Sequence, residues 1–250
     1  MVKKLDRIAQ LRRLYTGCGY CSGPIETEEH CPPKILFTGS HRPKGWEFPA
    51  CKLCNAGTSQ ADQIMAFFVF SQILKPSRTE EQHLDKIMRA LGNNHADIVF
   101  EMRLRARNHG LIVRASMPSS MAAYIEQFLD KMAASAYFKI RRKALPSTTQ
   151  IKHFTLTNEY IFRNGYPAAL KQLPVAFDSL KQGTWNTSNQ FRHRSVIMEQ
   201  DGVMMSESHF QNATAVISVL FLNEDPFHKK PPLDWSSHRF NLDALRNMHC

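Results

Sequence analysis

Two cysteine pairs of the same spacing, Cys18-Gly19-Tyr20-Cys21 and Cys51-Lys52-Leu53-Cys54, stand near the start of a chain of 250 residues. A separation of two residues lets one tight turn aim both thiolates at a single point, and Gly19 and Gly23 are expected to ease the backbone there. Two such pairs together supply the four thiolates of a closed tetrahedral site, the pattern of a structural Zn²⁺ with no open position for substrate. The competing reading is a redox dithiol pair. Cys31 and Cys250 are left over, and both are expected to be free thiols.

The segment carrying the four cysteines is rich in turn residues, with Gly17, Gly19, Gly23, Pro24, Pro32 and Pro33. The first 55 residues read as irregular, with too little apolar sequence for a core of their own, so a metal would supply the missing stability. From 61 to 74 a mostly apolar helix is expected, carrying Ile64, Met65, Phe67, Phe68, Val69, Phe70, Ile73 and Leu74 and ending before Pro76. Thr79-Glu80-Glu81-Gln82 has the form of a capping box, followed by Leu84, Ile87, Met88 and Leu91 at helical spacing and a stop at Gly92. A third helix is expected over 98–108. A fourth opens at Pro118 or Ser119, with Met121, Tyr124, Ile125, Phe128, Leu129 and Met132 on one face. Its end is the basic cluster 139–143, read as a solvated helix terminus in preference to a DNA contact.

The last third changes character. Residues 191–199 and 203–210 read as a hairpin turning at Asp201-Gly202, and 213–222 as a third, more buried strand. The fold class is therefore α+β: an N-terminal zinc-bound module, central helices and a C-terminal antiparallel hairpin or sheet. The expected division is a module over 1–75 and an accessory region over 76–250.

Lys and Arg number 32 against 22 Asp and Glu, a formal charge of +10, which favours a polyanionic partner. The longest apolar runs, 64–70 and 215–222, are too short to span a membrane. No apolar stretch follows the charged N-terminus to form a signal peptide. The reading is a soluble cytoplasmic protein whose thiols stay reduced.

Between the cysteine pairs lie 29 residues that include Glu28-Glu29-His30-Cys31-Pro32-Pro33, and Asn55 follows the second pair directly. In this order, over about residues 14–65, the sequence resembles the HNH (ββα-metal, His-Me finger) endonuclease family, in its branch with two C-x2-C pairs. The resemblance implies a ββα-metal, treble-clef-like module that hydrolyses phosphodiester bonds in DNA, with RNA not excluded. It implies His30 as general base, and Glu29 and Asn55 as ligands of one catalytic Mg²⁺ or Mn²⁺. Zinc at Cys18, Cys21, Cys51 and Cys54 would then only hold the hairpin and helix that present Glu29, His30 and Asn55.

Two features depart from the family pattern. The acid is Glu29 where Asp is usual, and the stretch 45–50 lacks the family's middle Asn, so His30 must be oriented by another group, such as a backbone carbonyl. His41 and Lys44 are candidate phosphate contacts in a polar loop, and Asp62 is either a further ligand or a helix-start acid. The alternative function is a non-catalytic zinc module that binds nucleic acid. A protein-interaction scaffold using the C-terminal hairpin is a third. Residues 80–250 resemble no family and are expected to select the substrate.

Overall fold

The computed structural model describes residues 2–39, 42–101, 119–171, 173–182 and 185–222. The chain is mixed α+β. A helix α1 (Val2–Leu14) is followed by a short antiparallel hairpin, β1 (Thr27–His30) against β2 (Glu47–Ala50). Directly after the hairpin come α2 (Lys52–Gly57) and α3 (Ser59–Ser71), then α4 (Arg78–Asn94) and the long α5 (Ser119–Arg141). Strand β3 (Gln150–Thr157), the short helix α6 (Asn158–Asn164) and a two-residue ladder of β4 (Lys181–Gln182) with β5 (Trp185–Asn186) lead to β6 (Phe191–Met198), β7 (Val203–Phe210) and β8 (Thr214–Phe221). The large sheet has the order β3-β8-β7-β6 and is antiparallel throughout.

The three C-terminal strands lie where alternation and β-branched residues put them. Every residue of β8 is buried, as expected of an inner strand between two neighbours. The β6–β7 turn is a short 3₁₀ turn, Glu199–Asp201, closed by Gly202 at a φ of +61°, a conformation that favours glycine. Strand β3 was not expected, and it adds the fourth member along an edge of the sheet. Its sequence, Gln150–Thr157, mixes Lys152 and His153 among apolar residues and reads weakly as a strand.

The helices need three corrections. The N-terminal segment is helical where irregular chain was expected, because Leu5, Ile8 and Leu11 recur every three residues among dense charge. The helix expected over 61–74 is α3, which starts two residues earlier at Ser59 and ends at Ser71, and the short α2, not expected, precedes it. The capping box belongs to Ser77 and Glu80: the Glu80 amide donates to Ser77 Oγ at 3.3 Å, and the Ser77 amide donates to Glu80 Oε2 at 2.7 Å. Ser77 has the extended φ of −71° that a cap requires, and the helix runs past Gly92 to Asn94. Most of the helix expected at 98–108, and the whole tail with Cys250, lie outside the described residues.

One buried cluster runs across residue 75. It joins Leu36, Trp46 and Phe48 of the hairpin segment, Ile64, Met65 and Phe70 of α3, Phe128 and Met132 of α5, and Phe191 and Phe210 of the sheet. Trp46 is its hinge: its ring centroid lies 5.4 Å from that of Phe191 and 4.6 Å from His193, and Lys139 sits 4.3 Å over its face. The loop between β1 and β2 is tied to the sheet by side chains. Gln211 Nε2 donates to the Leu36 carbonyl at 2.6 Å, and the Thr38 amide donates to Gln190 Oε1 at 2.8 Å. The basic helix end is used internally: Lys139 pairs with Asp178, Arg141 with Glu199, and Arg142 donates to Tyr15 Oη. Among the described residues no helix is long and apolar enough to cross a membrane.

Two predictions follow from this packing. Trp46→Ala should cost about 3–5 kcal/mol in urea unfolding, whereas Phe162→Ala, at a residue 84% exposed, should fall within about 0.5 kcal/mol of wild type. His193 is buried, its Nδ1 sharing a hydrogen bond with Ser208 Oγ at 2.9 Å, and burial and then Lys139 hold its pKa well below the ordinary histidine range. The unfolded chain therefore binds the extra proton, so stability should be full above about pH 6.5 and fall as pH drops below it. His193→Gln should flatten that slope in denaturant titrations between neutral and mildly acidic pH.

Candidate metal centre and hairpin site

The four cysteines converge. One ligand atom from each of Cys18, Cys21, Cys51 and Cys54 lies within 4.8 Å of the others, and Cys21 Sγ is 3.8 Å from Cys51 Sγ. A tetrahedron with metal–sulfur arms of about 2.3 Å has edges of about 3.8 Å, so the donor set and its size fit one Zn²⁺. Among the described residues no other group of three such ligands gathers. Cys31 stands apart, fully buried with its thiol 3.2 Å from Met132 Sδ, and burial pushes it up to about 12. It is an inert free thiol, as expected.

Local backbone bonds build each half of the cluster. In the first turn the Cys18 amide donates to the Gly23 carbonyl at 2.8 Å and the Ser22 amide to the Cys18 carbonyl at 3.0 Å. Ser22, rather than a glycine, takes the left-handed φ of +60°. Gly19 and Gly23 supply room instead: a Cβ on Gly19 would lie 3.1 Å from the Phe138 ring, and one on Gly23 would lie 3.2 Å from Cys21 Sγ. In the second half Cys51 caps α2, its Sγ accepting from the Cys54 amide at 3.4 Å. The two halves meet through β2, where the Gly19 amide donates to the Pro49 carbonyl at 2.7 Å and the Glu26 amide to the Ala50 carbonyl at 2.9 Å.

This frame sets where Glu29, His30 and Asn55 go. Successive residues of a strand face opposite sides, so Glu29 and His30 part company. His30 pairs in register with Glu47 and lies on the side of Glu28, with Nε2 3.9 Å from Glu28 Oε2. Arg7 of α1 donates to Glu28 at 2.6 Å on the same side. The imidazole is about one-third exposed. Burial, and next the Arg42 guanidinium, hold it below its ordinary pKa, so it is neutral near pH 7.

Glu29 faces the interior and is 5% exposed. Its Oε1 is 3.0 Å from Lys131 Nζ of α5, and the same ammonium lies 3.0 Å from both oxygens of Asp62 and 3.1 Å from Thr58 Oγ1. Burial pushes both carboxyls up and Lys131 opposes the rise. For the lysine, burial works against the charge, but the surrounding acids outweigh it and its pKa is raised.

Asn55 was expected just ahead of a helix. It lies inside the six-residue α2, with its amide bonded to the Cys51 carbonyl at 3.1 Å, so its backbone is not available to a phosphate. Its side chain reaches back to β1, Nδ2 donating to Thr27 Oγ1 at 3.0 Å and to the Glu28 carbonyl at 3.3 Å. Asn55 and Glu29 thus flank one strand–helix junction. As they stand they do not form a site for Mg²⁺ or Mn²⁺, because Glu29 is neutralised by Lys131. Asp62 is both a first-turn acid of α3 and a partner of Lys131. Lys44 is exposed on the loop, and His41 lies outside the described residues.

The residue that sequence reasoning passed over is Lys131. Its signal was present: a lysine three residues after Phe128 and four before Ser135, where α5 becomes apolar on nearly all sides. The chain was compared with family models, curated proteins and solved structures, and none matches.

The zinc assignment predicts about one zinc per chain by elemental analysis. Cys51→Ser should lose that zinc together with the α-helical signal of the N-terminal region, while Cys31→Ser should retain it.

Proposed function

We propose that the chain is an HNH-type endonuclease that hydrolyses phosphodiester bonds in nucleic acid, with DNA as its substrate and His30 as general base. The observation that carries this reading is the junction of β1 with α2. There Asn55 is bonded to the carbonyl of Glu28, the residue before Glu29 and His30, and the cysteine cluster closes the same end of the hairpin. An acid–histidine pair on the first strand and an amide on α2 are the residue types that the sequence resemblance calls for, with Glu29 turned inward to Lys131 and His30 on the opposite side of the strand.

On this reading the His30 imidazole accepts a proton from the attacking water. A neutral, partly exposed ring suits that task. Arg42 on the same side lends positive charge to a phosphate, Arg7 being paired with Glu28, and the net charge of +10 favours a polyanion. The zinc-bearing cysteines hold the frame and take no part in proton transfer.

A second reading has one observation in its favour. The Glu29–Lys131 ion pair fits a zinc-held module that binds nucleic acid without cutting it. The two readings separate in a nicking assay on supercoiled plasmid with Mg²⁺ or Mn²⁺, run beside a gel-shift titration at several salt concentrations. The nuclease reading expects nicking by wild type and a loss of about 100-fold or more in His30→Ala, the scale of a general base. Equal nicking by the two proteins removes His30 from the mechanism. Salt-dependent binding with no nicking under either ion decides for the second reading.

A further inference from the structure

Between β1 and α3 a buried cation is already in place. Lys131 Nζ has four oxygens around it at 3.0–3.1 Å: Glu29 Oε1, both Asp62 carboxylate oxygens and Thr58 Oγ1. They come from two separate elements and the turn between α2 and α3, and they meet on a side chain delivered by a third. Lys131 is 3% exposed and Glu29 5% exposed, so water screens neither charge. Glu29 Oε2 is buried without a hydrogen-bond partner among the described residues. One oxygen of this buried carboxylate is thus left without a side-chain partner beside the ammonium.

An ammonium ringed by carboxylate and hydroxyl oxygens occupies surroundings that would also suit a hard divalent ion. The lysine brings one positive charge and three directed N–H donors, whereas a divalent ion brings two charges and accepts oxygens alone. The two cannot share Glu29 Oε1.

We propose that the Lys131 ammonium is the resident cation of this cluster and competes with a divalent ion for Glu29, so that the hairpin site is latched shut until the lysine leaves. This rests on the nuclease reading only for the purpose the ion would serve; the competition itself is a property of Glu29, Asp62 and Lys131. Lys131 comes from α5, outside the hairpin, so the state of the site depends on a side chain delivered by another element.

The experiment is Mn²⁺ binding to the full, zinc-loaded chain, followed by electron paramagnetic resonance and calorimetry. Wild type is compared with Lys131→Met, with Lys131→Met/Glu29→Gln, and with Lys131→Met/Asp62→Asn. The last variant keeps the wild-type net charge of the cluster, which guards against loss of the fold through unpaired carboxylates.

Lys131→Met and Lys131→Met/Asp62→Asn should each bind one Mn²⁺ at least tenfold tighter than wild type. Lys131→Met/Glu29→Gln should lose that gain. Equal Mn²⁺ affinity in wild type and in both variants that keep Glu29 overturns the proposal, as does a gain that survives Glu29→Gln. Tighter Mn²⁺ binding with no plasmid nicking supports the latch and counts against the nuclease alone. Nicking with unchanged Mn²⁺ affinity does the reverse.

Discussion

Four thiols brought within 4.8 Å of one another decide what the first quarter of this chain can be. They close a loop of 29 residues that has few apolar residues to spare, and they fix both ends of it at once. The first pair is tied to β2 through the Gly19–Pro49 bond, and the second pair begins α2 with Cys51 as its cap. Binding of a metal at such a site is folding free energy, since the unfolded chain has no site to offer. Strand β1 then has no choice of partner or register, and the direction in which Glu29, His30 and Asn55 project is settled with it.

From that frame the rest of the packing follows outward. Trp46, just before β2, and Phe37 of the hairpin loop both meet Phe191 of the sheet, while Phe48 meets α5 through Phe138. Gln190 and Gln211, from the sheet, hold the long hairpin loop by its backbone. The outcome is one buried cluster shared between hairpin, helices and sheet, so residues assigned by sequence to an accessory region help to shape the site.

Much of this was legible in the residues. The cysteine spacing pointed to the four-cysteine cluster, the β-branched run at 214–221 to the inner strand, and the Met121–Met132 stripe to the long helix. What was missed had weak local signals. Helix α1 hides a three-residue repeat in charge, and β3 is an edge strand with polar residues on both faces. The cap of α4 was placed two residues late because Ser77 and Thr79 each precede an acid or amide at the right spacing, and only backbone geometry distinguishes them. The site shows the same limit more sharply. The pattern of Glu29, His30 and Asn55 was visible, but the partner of Glu29, Lys131, lies 102 residues further along the chain, on α5. No local spacing rule reaches that far, and strand alternation, which separates Glu29 from His30, acts only once β1 is known to be a regular strand.

We infer that four cysteine thiolates hold one tetrahedral metal ion and thereby fix the hairpin. Cobalt(II) substitution tests it most directly, because the absorption spectrum reports coordination number and donor type together. The account predicts uptake of a single Co²⁺ per chain, with the intense visible bands of a tetrahedral ion and strong thiolate-to-metal charge transfer, displaced stoichiometrically by Zn²⁺. A weak six-coordinate spectrum, or charge transfer that persists when Cys18 and Cys51 are replaced by serine, would contradict it.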